Sequence, residues 1–355
     1  MYELTALGFN PFFKEQLLSN DANCARIAAE HRGGYEVWSD KGSGLAQLAG
    51  RLKHTLDSEN LPGVGDWVVL QSQPDLEQIS IIKRVLKRQT CFLRGAAGRQ
   101  IQGQVIAANI DIVFIVCGLD NDYNLRRIQR YLARIWASGA QPVIILNKAD
   151  VCSAVNLHQN QVEQACIGVA VHVISAICHQ GLEVIHQYLK HGITAAFVGS
   201  SGTGKSTLIN TLLGEERMTI KPINSHDGRG CHTTTHRQLI ILPHGGIVID
   251  TPGMRELQLY DEAGIDSVFS DIENLSGGCK FKDCKHQSEP GCAVRIAVAT
   301  NSLANERLDY FLKMKSEAQA YALRHDEHQR RQADKAFGKQ IARAKKSLQR
   351  IKKKY

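Results

Sequence analysis

No stretch of the chain approaches the roughly 20 consecutive apolar residues that a membrane-spanning helix requires, so an integral helical membrane protein is not expected. The opening residues Met1-Tyr2-Glu3-Leu4-Thr5 include an acid and no apolar run, and do not read as a signal or transit segment. Paired cysteines are missing as well. Ten cysteines are present, but Cys24, Cys91, Cys117, Cys152, Cys166, Cys178 and Cys231 stand singly in a large chain without an export signal. That argues against a disulfide framework and for a reducing, cytoplasmic setting. No solenoid-type repeat is visible. What remains is a chain of 355 residues, long enough for about two or three domains. Its net charge is +8, and the surplus concentrates after residue 324, which makes a polyanionic partner plausible without identifying it.

Texture divides the chain into five segments. Residues 1–33 read as a leader, in which Phe12, Phe13, Leu17 and Leu18 predict a packed helix. Residues 34–100 carry short alternating runs, Tyr35 to Trp38, Asp66 to Leu70 and Ile79 to Ile82, separated by Gly, Pro, Asp and Ser. This predicts a small antiparallel barrel of OB type, with an SH3-like barrel as the alternative. Residues 101–258 switch to α/β texture. Strands are expected at Ile112 to Val116, Val143 to Leu146, Val171 to Ile174, Ala195 to Val198, Leu239 to Leu242 and Ile247 to Ile249, with Leu125, Ile128, Leu132 and Ile135 at helical spacing. Residues 259–325 are largely helical in pattern. The basic tail 326–355 carries Phe337, Ile341, Ala344, Leu348 and Ile351 as a stripe amid lysines and arginines. It suits a helix along RNA or an arm that folds on binding, against the plainer reading of a solvated charged tail.

The run Gly199-Ser200-Ser201-Gly202-Thr203-Gly204-Lys205-Ser206 after an expected strand is a phosphate-binding loop. Its glycines let backbone N–H groups face phosphates, Lys205 reaches the β and γ oxygens, and the Ser206 hydroxyl can ligate Mg²⁺. Thr207 continues into the following helix, whose N-terminus favours anions. Asn147-Lys148-Ala149-Asp150 supplies base selectivity, because an ionised Asp150 only accepts hydrogen bonds and so matches the N1–H and 2-amino donors of guanine. Asn147 is expected to buttress the loop, and the Lys148 stem to cover a ring face. Ser175-Ala176 fits the element whose backbone amide meets guanine O6. Asp250-Thr251-Pro252-Gly253 fits the element in which Asp holds Mg²⁺ through water and the Gly amide senses the γ-phosphate. Upstream, a Gly- and Thr-rich stretch offers Thr234, or Thr233, to Mg²⁺. Met254 stands where Ras-like enzymes carry a water-orienting glutamine, a role that a thioether cannot perform. His232 is the titratable candidate nearby, with a solvent- or RNA-facing histidine as the alternative; Arg229 is a candidate for stabilising transferred charge.

Cys279, Cys284, His286 and Cys292 have the spacing C-x4-C-x-H-x5-C. This Cys₃His set could close one tetrahedral structural zinc site, against the alternative of reduced cysteines in a helical domain. Lys280, Lys282 and Lys285 lie between the ligands.

The tetrad precedes the phosphate loop, which reverses the usual GTPase order. Residues in this order, with Gly65 to Val68, Asn109 to Asp111 and the cysteine cluster, resemble the circularly permuted ribosome-assembly GTPases of the RsgA (YjeQ, EngC) type. The resemblance implies an α/β P-loop GTPase domain, circularly permuted, between an N-terminal OB-type β-barrel and a C-terminal, mostly helical zinc-binding domain. It also implies late maturation of the small ribosomal subunit, 16S rRNA as the main contact, and GTP hydrolysis to GDP stimulated by that subunit. No membrane partner is expected, and the chain is expected to act as a monomer. In the permuted order, the segment after Gly253 runs straight into the zinc domain, a route by which nucleotide state could reach an RNA-binding surface.

Overall fold

The computed structural model describes residues 2–57, 59–94, 104–215, 237–250, 262 and 264–324. The barrel begins earlier than texture suggested. Its strands are β1 (Cys24–His31), β2 (Gly34–Ser39), β3 (Gly42–Leu48), β4 (Trp67–Leu70) and β5 (Ser80–Val85). β1 therefore belongs to the barrel and not to a leader over residues 1–33. The reason is burial on both faces: the first six residues of β1 are all buried, so the strand shows none of the apolar/polar alternation that marks a half-exposed strand. Ala25 and Ile27 join Val37, Ala46, Val68, Leu70 and Ile82 inside the barrel, while Cys24 packs with Leu7, Phe13, Trp67, Val69 and Leu86.

The strands close in the order β1-β2-β3-β5-β4, with β4 returning to β1. Only the β3–β5 pair is parallel. This is the OB arrangement, and closure removes the unpaired strand edges that would otherwise invite association. The expected leader helix shrinks to α1 (Pro11–Lys14), which buries Phe13 and leaves Phe12 and Leu18 exposed. α2 (Gly50–Thr55) follows β3.

Next comes an antiparallel pair that the alternation pattern did not announce, β6 (Cys91–Arg94) and β7 (Gln104–Ala108). The α/β sheet contains β8 (Ile112–Gly118), β9 (Gln141–Asn147), β10 (Ala170–Val173), β11 (Thr194–Val198), β12 (Gln238–Ile241) and β13 (Ile247–Asp250). Its order is β10-β9-β8-β11-β13-β12. All these pairs are parallel except β12–β13. Helices α3 (Leu125–Ser138), α4 (Val155–Ala165), α5 (Glu183–Tyr188) and α6 (Lys205–Leu213) connect the strands. α3 starts where the Asn124 side chain accepts from the Arg127 N–H and stops at Gly139. Parallel strands buried on both faces read as unbroken apolar runs, which is why the central strands β8, β9 and β11 were visible in sequence.

The barrel and the α/β sheet form one compact unit. A bridge between Ala29 and Gln238 makes them a continuous sheet. Arg26 fastens the same seam. It is 1% exposed and donates to Thr194 Oγ1 (2.8 Å), Asn109 O (3.0 Å), Gly65 O (3.2 Å) and Leu7 O. Burial pulls its pKa down to about 10, which still leaves it charged at neutral pH. Thr194 opens β11, so this arginine reaches the strand that feeds the phosphate loop.

α7 (Ile265–Val268) also belongs to this first unit, and the division falls inside α8 (Ser270–Ser276) after Asn274, beyond the boundary expected at 258/259. Ile265 and Val268 are buried and α7 packs on α3. The second unit contains α9 (Ala293–Ala299) and α10 (305–324). Leu308, Phe311, Met314 and Ala318 of α10 are buried.

Candidate functional site

The C-terminal ends of β8, β9 and β11 converge on the crevice where ligands of open α/β sheets bind. From β11 the chain enters Gly199, Ser200, Ser201, Gly202, Thr203 and Gly204, and Lys205 begins α6, with Ser206 and Thr207 in its first turn. Lys205 Nζ donates to Gly199 O at 2.8 Å and to Ser200 O, and lies 3.4 Å from Thr203 Oγ1. Its charge is thus held within the loop whose amides would face phosphate.

Asn147 ends β9 and is 2% exposed. Its Nδ2 donates to Thr203 O at 2.9 Å, and its Oδ1 accepts from the Ala176 N–H at 3.0 Å. One carboxamide therefore ties the phosphate loop, the tetrad and the Ser175-Ala176 element together. The fit leaves no room for a side chain at Gly204, where an added Cβ would stand 2.3 Å from Asn147 Nδ2 and where φ is +93°. The Ala176 amide, which sequence assigned to guanine O6, is engaged by Asn147 here.

Lys148 has a left-handed backbone, and Ala149 and Asp150 lie in the 3₁₀ turn Ala149–Val151. Ser175 Oγ donates to Asp150 Oδ1 at 2.5 Å and accepts from the Cys178 N–H at 3.2 Å. The serine hydroxyl, for which sequence had supplied no role, thus orients the carboxylate that would read the base. Lys148 Nζ pairs with Asp120 Oδ2 at 2.5 Å. Asp120 was not singled out in sequence; its signal was its position just past the C-terminal end of β8. Burial raises the Asp120 pKa, but the hydrogen bonds from Lys148 and the Asp122 amide outweigh it and hold the carboxyl below its ordinary value.

The backbone of Asp250 ends β13, and the register Ala196↔Ile249 brings it alongside the strand entering the phosphate loop. The Asp250 side chain, Arg229, His232, Thr233, Thr234, Gly253 and Met254, and the basic tail 326–355, lie outside the described residues.

In the second unit, the ligand atoms of Cys279, Cys284, His286 and Cys292 all lie within 4.8 Å of one another. His286 Nδ1 is 3.4 Å from Cys292 Sγ and 3.7 Å from Cys279 Sγ, and the two sulfurs are 3.9 Å apart. Zinc bond lengths predict tetrahedral edges of about 3.6 Å for N to S and about 3.8 Å for S to S. The donor set therefore has the size of a zinc site. Its chemistry fits too. Burial raises the Cys279 pKa, but the amides of Ala293 and Val294, with hydrogen bonds from the neighbouring cysteines, bring it below the ordinary thiol value. Burial and its sulfur neighbours push Cys284 up to about 11. A zinc ion would supply the positive charge that favours the thiolate form of all three converging cysteines.

Glu289 shapes the ligand loop. Its carboxylate accepts from the N–H groups of Lys285 (2.9 Å), Gln287 (2.8 Å) and Ser288 (3.0 Å). Those amides, that of Lys285 first, hold its pKa near a value of about 2.

The family model described as RsgA GTPase matches residues 67–260. The chain is 43% identical over 331 residues to small ribosomal subunit biogenesis GTPase RsgA 2 of Lactiplantibacillus plantarum, covering 93% of this chain and 92% of that protein. To RsgA of Opitutus terrae it is 40% identical over 361 residues, covering 98% of each. Among solved structures it is similar to YjeQ from Thermotoga maritima, with TM-score 0.63 and 25% identity over 83% of this chain and 98% of that one. The circularly permuted GTPase YloQ shares the fold, with TM-score 0.61 and 22% identity over 86% and 98%. Motif order, fold and relatives converge: the chain belongs to the RsgA GTPase family and is a GTP hydrolase on a circularly permuted GTPase fold.

Proposed function

We propose that this protein acts in late maturation of the small ribosomal subunit, binding 16S rRNA, hydrolysing GTP to GDP under stimulation by the subunit, and leaving it on hydrolysis. The observation that carries the nucleotide part is the Asn147 carboxamide, which joins phosphate loop, base tetrad and Ser175-Ala176 in one buried constellation. The ribosomal part is supported by the names of the relatives at about 40% identity.

In this reading, Asp150 accepts from guanine N1–H and the 2-amino group, while Asn147, Lys148, Ala149, Ser175 and Ala176 line the base. Gly199 to Gly204 wrap the phosphates, with Lys205 and Thr207 at the helix start. Ser206, Asp250 through water, and Thr234 or Thr233 would hold Mg²⁺, which supplies charge neutralisation at the γ-phosphate. Gly253 senses that phosphate, and His232 orients the attacking water. Cys279, Cys284, His286 and Cys292 hold one structural zinc: four protein ligands leave no open position for chemistry. The barrel and α/β domain, the zinc domain, and the basic tail from 326 act as successive RNA-facing segments. Among the described residues no helix is long and apolar enough to cross a membrane.

The test is GTP turnover of the purified chain alone, with small subunits, and with large subunits as control. Stimulation by small subunits only is the expected result. Met254, in place of a water-orienting glutamine, favours one other reading, a GTP-dependent binding module with incidental hydrolysis. Turnover unaffected by small subunits would support that module and refute the proposal. Equal subunit affinity with GDP and with a non-hydrolysable GTP analogue would refute release on hydrolysis.

A further inference from the structure

Two carboxylates reach the base tetrad, and only one of them has a role in the reading above. Asp150 faces Ser175, whereas Asp120 lies on the loop after β8 and pairs with Lys148 at 2.5 Å. Asp120 has partners besides the lysine. Its Oδ1 accepts from the Asp122 N–H at 3.2 Å and its carbonyl from the Tyr123 N–H at 3.0 Å. The preceding Leu119 N–H donates to Asn147 O at 2.8 Å, which fixes this loop to the tetrad itself.

The lysine stem is confined as well. Its backbone is left-handed with φ of 68°, a conformation that residues other than glycine adopt rarely. An added Cβ at Gly118 would stand 2.7 Å from Asp120 Oδ1 and 3.5 Å from Lys148 Cδ, so carboxylate and stem both lie against backbone that carries no side chain. The two side chains are 17% and 30% exposed. A free lysine loses considerable rotamer freedom when it is ordered against a ligand. Holding it in the unliganded protein moves that loss from binding to folding, which favours binding.

We propose that Asp120 is a positioning residue that holds the Lys148 stem as one wall of the base slot, giving affinity independent of purine identity, while Asp150 supplies the selectivity. The proposal rests on the guanine-site reading above. Its chemical basis is that a methylene stem packs against any purine plane, whereas the Asp150 acceptors match donors that only some purines offer.

The test is calorimetric binding of GDP, inosine diphosphate and xanthosine diphosphate to the full chain carrying Asp120→Asn, Lys148→Ala, both, or Asp150→Asn. Asp120→Asn is expected to weaken GDP and inosine diphosphate by a common factor of about five, leaving their ratio unchanged. Lys148→Ala is expected to lower both together, and the double variant to bind no more weakly than Lys148→Ala alone. Asp120→Glu, which restores the charge, is expected to recover part of the loss. GDP binding unchanged in Asp120→Asn, a loss confined to one nucleotide, or additive losses in the double variant would overturn the proposal. Lys148→Ala tests the same contact from its partner, so a folding defect at Asp120 does not shield the idea: unequal losses of GDP and inosine diphosphate there refute it. Failure of the underlying reading looks different, because Asp150→Asn would then leave the GDP over xanthosine diphosphate preference unchanged whatever Asp120 does.

Discussion

Removing the Asn147 carboxamide is the perturbation that reaches most of the nucleotide site. The side chain makes two hydrogen bonds of ordinary length, 2.9 Å to Thr203 O and 3.0 Å from the Ala176 N–H. Thr203 and Ala176 are themselves 1% and 2% exposed. Asn147→Ala therefore leaves a buried carbonyl and a buried N–H without partners, at about 1 to 1.5 kcal/mol each, or about 2–3 kcal/mol together. In the free protein, water entering the vacated space relieves part of that cost. A bound base closes the site and restores it, so most of the penalty falls on the complex. The dissociation constant for GDP should rise about 30- to 150-fold. Displacement of a fluorescent GDP analogue at fixed Mg²⁺ measures it, with a thermal melt of the unliganded protein alongside. Asn147→Asp is the informative control. It keeps an acceptor for the Ala176 N–H but sets a carboxylate against Thr203 O, and should bind GDP no better than the alanine variant. An Asn147→Ala protein with GDP affinity within about threefold of wild type and an unchanged melting temperature would refute the claim that this side chain holds the loops.

Asp150→Asn should turn the preference from GDP toward xanthosine diphosphate, because the amide can donate to the xanthine 2-oxo group where the carboxylate could only accept; competition binding with both nucleotides measures it, and an unchanged preference counts against the base-reading assignment. Arg26→Met leaves Thr194 Oγ1 and three backbone carbonyls facing one another in a buried seam. It should cost about 3 kcal/mol or more in urea unfolding, and a loss below about 1 kcal/mol would mean that the seam does not depend on the guanidinium. Elemental analysis should find one zinc per chain, and Cys292→Ser should lower that content and speed proteolysis between residues 279 and 292. A chain without zinc whose loop resists protease to the same degree would remove the metal from the structural account.

The nucleotide and metal motifs were legible because each packs its chemistry into a few consecutive residues. A glycine-rich turn after an apolar strand, an Asn-Lys-x-Asp run and a Cys₃His spacing need no tertiary context to be seen. The central α/β strands β8, β9 and β11 were legible for a related reason, since burial on both faces writes continuous apolar runs. The same double burial concealed β1, because a reader looking for a barrel strand expects alternation and Cys24–His31 has little. β3, with glycines at Gly42 and Gly44, gave too weak an apolar signal to be placed.

The sequence alone thus determined which chemistry this chain carries and in which order the parts occur, because those are properties of neighbouring residues. Tertiary structure alone decided how the parts hold one another. Arg26 meets Thr194 across 168 residues, Asn147 meets Thr203 across 56, and Lys148 meets Asp120 across 28. The β3–β5 pairing that makes the barrel an OB fold is likewise between strands separated by a third. Contacts at such separations follow from closing loops around a shared core, and the free energy that selects one closure over another is spread over the whole packed unit and not written in any local run.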